Sequence, residues 1–171
     1  MLEYTIMALT YRHIEKEDIA FLKMSLYEAL FVPDGDEPYD KSIIETPDIS
    51  KYADKWGRIG DFGLLVFDDK EYVGAAWGRL YSDSNRSYGF VDSKTPEISI
   101  AIRPNYRERG IGTDLMARLI KLAEENGNTS ISLSVDSISR AVNLYKKLGF
   151  QIIDEVEMAY TMIKSTSHIS D

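Results

Sequence analysis

The sequence predicts an α/β protein, a mixed β-sheet with helices packed on it, and three observations carry that prediction. Residues 130–136 alternate, with Ile131, Leu133 and Val135 on one face and serines on the other, which is the period of a strand. Residues 113–125 place Leu115, Met116, Leu119, Ile120 and Ala123 on one helical face. Residues 64–67 and 72–81 are apolar runs joined by Asp68-Asp69-Lys70-Glu71, the signature of a hairpin. Strand and helix periods interleave along the chain, and that interleaving layers helices on a sheet.

The remaining elements follow in order. Residues 4–11 read as a first strand, and residues 15–30 as a helix with Ile19, Leu22, Leu26, Ala29 and Leu30 at helical spacing. Residues 31–61 are the least regular stretch, with Pro33, Gly35, Pro38, Pro47 and Trp56-Gly57-Arg58, and read as a loop holding a short helix at 50–56. A stretch this long is more often functional than idle. Residues 82–93, rich in Ser, Asn, Asp and Gly, read as a second loop, and residues 97–102 as a strand stopped by Pro104. Asn126-Gly127 ends the helix at 113–125. A further helix spans 139–148, with Lys146 and Lys147 in the last turn, where the helix dipole favours cations. Residues 150–153 and 158–163 read as two closing strands, and the tail from Lys164 is polar and expected to fray. With no repeat or linker in view, residues 1–171 are expected to form one domain.

Composition narrows the function classes. The net charge is −8, from 20 Lys and Arg against 28 Asp and Glu. That balance argues against nucleic acid as a partner, because a phosphate backbone needs a basic footprint. The absence of cysteine excludes disulfides, thiolate zinc sites and a cysteine nucleophile. His13 and His168 are too far apart in sequence to suggest a metal cluster, so no metal is expected. No apolar run reaches the length of a membrane span, and residues 1–4 do not open a signal peptide, so no membrane partner and a cytoplasmic location are the expectations.

The richest chemistry lies at Arg107-Glu108-Arg109-Gly110-Ile111-Gly112, fed by the strand at 97–102 and followed by a helix from Thr113. The first N–H groups of a helix have no intrahelical partner, and the dipole favours an anion there. Two glycines let a phosphate approach the main chain closely. A P-loop would need glycine followed by lysine, and a dinucleotide fingerprint would need a third glycine where Leu115 stands, so both are excluded.

What remains is Arg or Gln, two residues, Gly, one residue, Gly or Ala. With the run Ile98 to Pro104 before it, the helix and strand after it, and Ala141-Val-Asn-Leu-Tyr-Lys-Lys-Leu-Gly-Phe150, it resembles the GNAT superfamily of N-acetyltransferases over residues 97–153. The resemblance implies a mixed, mostly antiparallel sheet of six to seven strands, acetyl-coenzyme A as cosubstrate, and direct acetyl transfer to a primary amine in a ternary complex. It implies that main-chain groups of Ile100, Ala101 and Ile102 hold the pantetheine arm. Those of Arg107, Glu108, Arg109, Gly110, Ile111, Gly112 and Thr113 would hold the pyrophosphate. Tyr145 matches the tyrosine that protonates the leaving thiolate, and Glu97 stands near where some relatives carry a glutamate base. Many relatives have an asparagine where this chain has Ile138, which leaves Ser137 or Asn143 to make that contact to coenzyme A. The irregular stretch at 31–61 falls where the family builds its acceptor pocket, with Asp34, Asp36, Glu37, Tyr39 and Trp56 as candidate lining. A homodimer is a family expectation. The alternative is a catalytically silent acyl-coenzyme A sensor of the same fold, which would have no use for a proton donor at the sulfur.

Overall fold

The structure, a computed structural model, describes residues 8–166. Its strands are β1 (Leu9–His13), β2 (Phe62–Asp68), β3 (Glu71–Arg79), β4 (Glu97–Ile102), β5 (Ser130–Asp136), β6 (Gln151–Val156) and β7 (Ala159–Ser165). Its α-helices are α1 (Ile19–Ala29), α2 (Pro47–Ser50), α3 (Ile111–Glu125) and α4 (Ala141–Lys147). The strands form one seven-stranded sheet in the order β1-β2-β3-β4-β5-β7-β6. Every neighbouring pair is antiparallel except β4 with β5, which run parallel and pair at one position, Glu97 with Ser132.

The predicted elements are present with shifted ends. The first strand starts at Leu9, and the earlier part of the predicted run lies outside the described residues. The helix placed at 50–56 instead begins at Pro47 and closes at Ser50, because proline is pre-set for a first helical turn. The expected fraying from Lys164 does not occur there. Lys164 and Ser165 complete β7 opposite Ile131 and Ser130, and the Thr166 N–H bonds Thr129 O.

Two apolar layers cover the two faces of the sheet. On one face α3 seats Ile111, Leu115, Met116, Leu119 and Ala123 against Val66, Val73, Ala76, Ile98 and Ile131. On the other, Leu22 and Leu26 of α1 pack with Tyr52, Trp56, Leu65, Ala75 and Trp77. Val73 belongs to the first layer and Ala75 to the second, although alternation would put them together. A bulge causes this: Val66 pairs with Gly74 and Phe67 with Tyr72, so Val73 is one residue too many. The bulge sets which side chains of the rest of β3 reach the second face, Trp77 and Arg79 among them.

The serine face of β5 is not solvated. Ser132 is fully buried and its hydroxyl donates to Gly89 O at 2.7 Å, because the loop before β4 folds across this side. Gly89 is the residue that permits the approach: a Cβ there would lie 2.7 Å from Leu133 C and 2.9 Å from Glu97 Oε1.

Candidate active site

Beyond the Glu97–Ser132 pair, β4 and β5 splay apart. Strand alternation decides what β4 presents to that gap. The Arg103 N–H bonds Val73 O on β3, and Pro96 O accepts from Ser132 N on β5, each at 2.9 Å. Main-chain groups of alternate residues face alternate sides of a strand. Ile98, Ile100 and Ile102 therefore aim their main-chain groups toward β5, and those of Ile100 and Ile102 lie past the last strand pair. Ala101, expected to share this task, turns its main chain to β3 and pairs with Ala75. Ile102 O already accepts from Arg107 Nε at 2.9 Å.

The splay opens into a cleft of about 1390 Å³, larger than the ~300–1,000 Å³ of a single small-molecule site. One end reaches the start of α3. Gly110 caps this helix in the left-handed region at φ 79°, and Glu108, also left-handed at φ 61°, shapes the turn before it. The first helical bond is Asp114 N–H to Gly110 O, so the N–H groups of Ile111, Gly112 and Thr113 have no partner in the helix. At Gly110 a Cβ would meet nothing within 4 Å, and at Gly112 only Ile102 Cγ1 at 3.7 Å. Packing therefore does not call for these glycines. What they leave is an uncovered main chain at a helix start, which fits an anion such as a pyrophosphate.

The flanking residues divide. Arg107, Glu108, Gly110, Gly112 and Thr113 line the cleft, whereas Ile111 turns its side chain into the core. Arg107 is tied down, its guanidinium reaching Ile102 O and the Glu28 carboxylate at 3.3 Å. Arg109 stacks over the Tyr106 ring at 5.5 Å. Asn143 is exposed on α4 and does not line the cleft; Asp136, Ser139 and Arg140 do.

Tyr145 lines the cleft from α4, its ring edge-on to Phe150 at 5.9 Å. Burial pushes its hydroxyl up to about 12, so it stays protonated at neutral pH and available as a donor.

Glu97 stands at the other end and is 3% exposed. Burial pushes its carboxyl up to about 7. Ser87 and Tyr52 partly offset that rise. Tyr52 donates to Oε1 at 3.0 Å, while Ser87 Oγ and Glu97 Oε2 make no hydrogen bond of ordinary geometry among the described residues. Directly across β3 from Glu97 stands Arg79, which has no exposure and would be the obvious counter-ion. Its charge is taken instead by Asp61, with Nε to Oδ1 at 3.0 Å and the second nitrogen to Oδ2 at 2.8 Å. Among the described residues Glu97 thus forms no salt bridge, although the charge of Lys51 offsets a small part of the rise.

Tyr27, Glu28, Asp34, Tyr39, Tyr52 and Tyr88 also line the cleft, Tyr52 bonded to Glu97 and Glu28 paired with Arg107 toward the α3 end. Of the candidates at 31–61, Asp34 and Tyr39 line the cleft and Asp36 and Glu37 do not. Trp56 belongs to the core, with its indole N–H donated to Ile14 O at 3.2 Å. Tyr52 and Tyr88 are additions that no pattern in the sequence singles out. Among the described residues no group of His, Asp and Glu could hold a metal ion. His13 is exposed on β1, away from the cleft, and His168 lies outside the described residues. No helix among the described residues is long and apolar enough to cross a membrane.

The chain is similar to known proteins in sequence and in fold. Over 110 residues the chain is 41% identical to the thialysine N-epsilon-acetyltransferase of Mus musculus, covering 61% of this chain and 65% of that enzyme. Across this enzyme and two further curated relatives, from Drosophila melanogaster and Methanocaldococcus jannaschii, the match spans 55 to 66% of the relative's length. The fold matches the PaiA N-acetyltransferase of Thermoplasma acidophilum, solved in complex with coenzyme A, at a TM-score of 0.66 and 17% identity, covering 93% of this chain and 99% of that one. It also matches the ribosomal-protein-S18-alanine N-acetyltransferase of Escherichia coli at a TM-score of 0.66 and 18% identity, covering 95% of this chain and 97% of that one. The profile of the acetyltransferase (GNAT) family matches residues 24–150. The chain belongs to the GNAT acetyltransferase family.

Proposed function

We propose that this protein transfers an acetyl group from acetyl-coenzyme A to a cationic primary amine by direct attack in a ternary complex. The observation that carries the reading is the splayed β4 edge. It runs from a buried carboxyl toward an uncovered helix start, and Tyr145 lines the same cleft.

Acetyl-coenzyme A supplies the acetyl group as a thioester. The N–H groups of Ile111, Gly112 and Thr113 receive the pyrophosphate, and the edge groups of Ile100 and Ile102 receive the amide-rich arm like an added strand. The Ile100 N–H, on the open side of β4, is placed to stabilise charge developing on the thioester oxygen. An alkyl amine is protonated in water at neutral pH and must lose a proton to attack. Glu97, directly or through water, takes it, and a carboxyl that titrates near 7 is well matched to that task. As the carbon–nitrogen bond forms and the carbon–sulfur bond breaks, the sulfur takes the electron pair and a proton from Tyr145, while the second proton on nitrogen leaves through water and restores the tyrosine hydroxyl. Carboxylates at Asp34 and Glu97, in a cleft also lined by tyrosines, favour a cationic acceptor.

The test is acetyl-coenzyme A turnover over a panel of polyamines, lysine-type amines and peptide N-termini, with Tyr145→Phe alongside. Turnover should appear with cationic amines, and Tyr145→Phe should bind coenzyme A normally while kcat falls by roughly 10²-fold or more. Normal turnover in the variant would remove Tyr145 from the mechanism. Tight coenzyme A binding with no turnover on any amine would favour the silent sensor.

A further inference from the structure

Residues 51–54, just after α2, are held against β3 by its side chains. Arg79 donates to Lys51 O at 2.9 Å and to Asp54 O at 2.7 Å, and the Trp77 indole N–H donates to Tyr52 O at 2.9 Å. Three donors on one strand therefore fix the main chain around Tyr52. The Tyr52 ring lies 5.5 Å from that of Tyr81 and stacks on Tyr88 at 6.4 Å. Its hydroxyl oxygen accepts from the Tyr88 N–H at 2.9 Å, and its proton goes to Glu97 Oε1 at 3.0 Å. Building on the function proposed above, we infer that Tyr52 is the positioning residue of this site: its clamped hydroxyl fixes Glu97 and supports the ionised, base-ready carboxylate.

The surroundings leave few other groups for that task. From β3, Arg79 faces Glu97 but is committed to Asp61. From the turn after α2, the Lys51 ammonium bonds Arg86 O at 2.7 Å and Asn85 Oδ1 at 3.3 Å. Beyond β3, the buried Tyr81 hydroxyl makes no hydrogen bond among the described residues. From the loop before β4 come Ser87 and the Gly89 main chain, and from β5 Ser132, whose hydroxyl serves Gly89 O. Among the described residues Tyr52 gives the carboxyl a side-chain hydrogen bond of ordinary geometry from an anchored frame. Oε2 is left as the oxygen free to take a proton.

Tyr52→Phe tests this, because it deletes the hydroxyl and keeps the ring. The readout is the Glu97 carboxyl titrated by NMR on protein carrying ¹³C-carboxyl glutamate, the signal assigned through its loss in Glu97→Gln. A hydrogen bond to a charged group is strong enough that its loss should raise the Glu97 midpoint by about one pH unit. Tyr81→Phe, which removes an unbonded hydroxyl from the ring packed beside Tyr52, should leave it in place. The acid limb of kcat/KM for the amine should move up with the midpoint, so that the loss is several-fold near neutral pH and shrinks in more alkaline buffer. An unmoved midpoint, an equal shift in both variants, or a loss of kcat/KM equal at every pH would overturn the inference. The native protein provides a check that does not depend on the variant folding. The ¹³Cζ resonance of Tyr52 should shift with the Glu97 midpoint, and a flat resonance would also overturn it. Neither titration requires turnover, so a protein that acetylates no amine would defeat the proposed function while the titrations still decide the role of Tyr52.

Discussion

The two ends of the cleft are built from different materials. The end at α3 is made of main chain: helix-start N–H groups, a left-handed Gly110, and the open edge of Ile100 and Ile102. The end at Glu97 is made of side chains drawn from four places: Tyr52 after α2, Trp77 and Arg79 on β3, Tyr88 in a loop, and Glu97 on β4. A main-chain site needs only one local conformation, so a few mutations outside it should leave it standing. A side-chain site depends on buried polar partners, and each one removed strands another.

The largest effect is expected at Asp61. Its carboxylate holds the fully buried Arg79 and also accepts from the Gly57 and Arg58 N–H groups, at 3.0 and 2.9 Å. Asp61→Ala leaves a buried guanidinium without its counter-ion, a change that costs about 3–5 kcal/mol. Urea unfolding should show that loss. At denaturant concentrations where the variant is still folded, acetyl-coenzyme A affinity should remain near wild type while the KM for the amine rises. An equal loss at both ends would mean that the two are one mechanical unit and that the contrast between them is false.

That difference in material also explains what could be read before the fold was known. The α3 end announces itself because glycines, a preceding strand and a following helix are contiguous, and local conformation leaves a local signature. Glu97 was also within reach, as a carboxylate at a strand start. Tyr52 was not: it contacts a residue 45 positions away, and nothing at its own position distinguishes it from other tyrosines. Trp56, by contrast, looked like pocket lining because aromatic residues in irregular stretches suit that role, yet burial against Ile14 proved the stronger demand. Arg79 sits inside an apolar strand run, and only the register with Glu97 and the packing of 51–54 reveal its role. A mixed, mostly antiparallel sheet of six to seven strands was legible largely through the resemblance, but the order of its strands was not. The single-pair junction of β4 and β5, on which the cleft depends, is a tertiary fact.

Glu97→Gln tests a cost that the side-chain end carries even when intact. The folded carboxyl titrates near 7 against an ordinary 4.5. A raised carboxyl favours the fold fully below its unfolded value and disfavours it as pH rises through the folded one, because ionisation must then occur inside the protein. The wild type should therefore lose about 3 kcal/mol of stability between pH 4.5 and 8 from this group, and Glu97→Gln should not. Comparing urea unfolding of the two at pH 4.5 and pH 8 isolates the effect from the rest of an acidic chain. The same variant should lose roughly 10²-fold or more in kcat. Stability gained at pH 8 together with activity lost would show that the site holds a strained acid for chemistry. Parallel pH dependence in the two proteins would show that Glu97 is solvated in solution and would weaken its claim as the base.

The smallest expected effect is at the main-chain end, where Arg107 has two competing descriptions. Its position beside the glycines suggests a charge for the pyrophosphate, but its guanidinium is engaged by Ile102 O and by Glu28 on α1. That pair is about half-exposed on the arginine side and a third exposed on the glutamate side, so its contribution to stability is screened to about 0–1 kcal/mol. Arg107→Gln should therefore hardly move the unfolding midpoint. The KM for acetyl-coenzyme A decides between the two descriptions. If the main chain of α3 does the holding, KM should change by less than threefold, since the helix-start N–H groups are untouched. A tenfold rise would mean that Arg107 leaves Glu28 for the phosphates when the cosubstrate binds. Binding at the α3 end would then release the end of α1, which also lines the cleft, and the cosubstrate would be coupled to that wall through this one side chain.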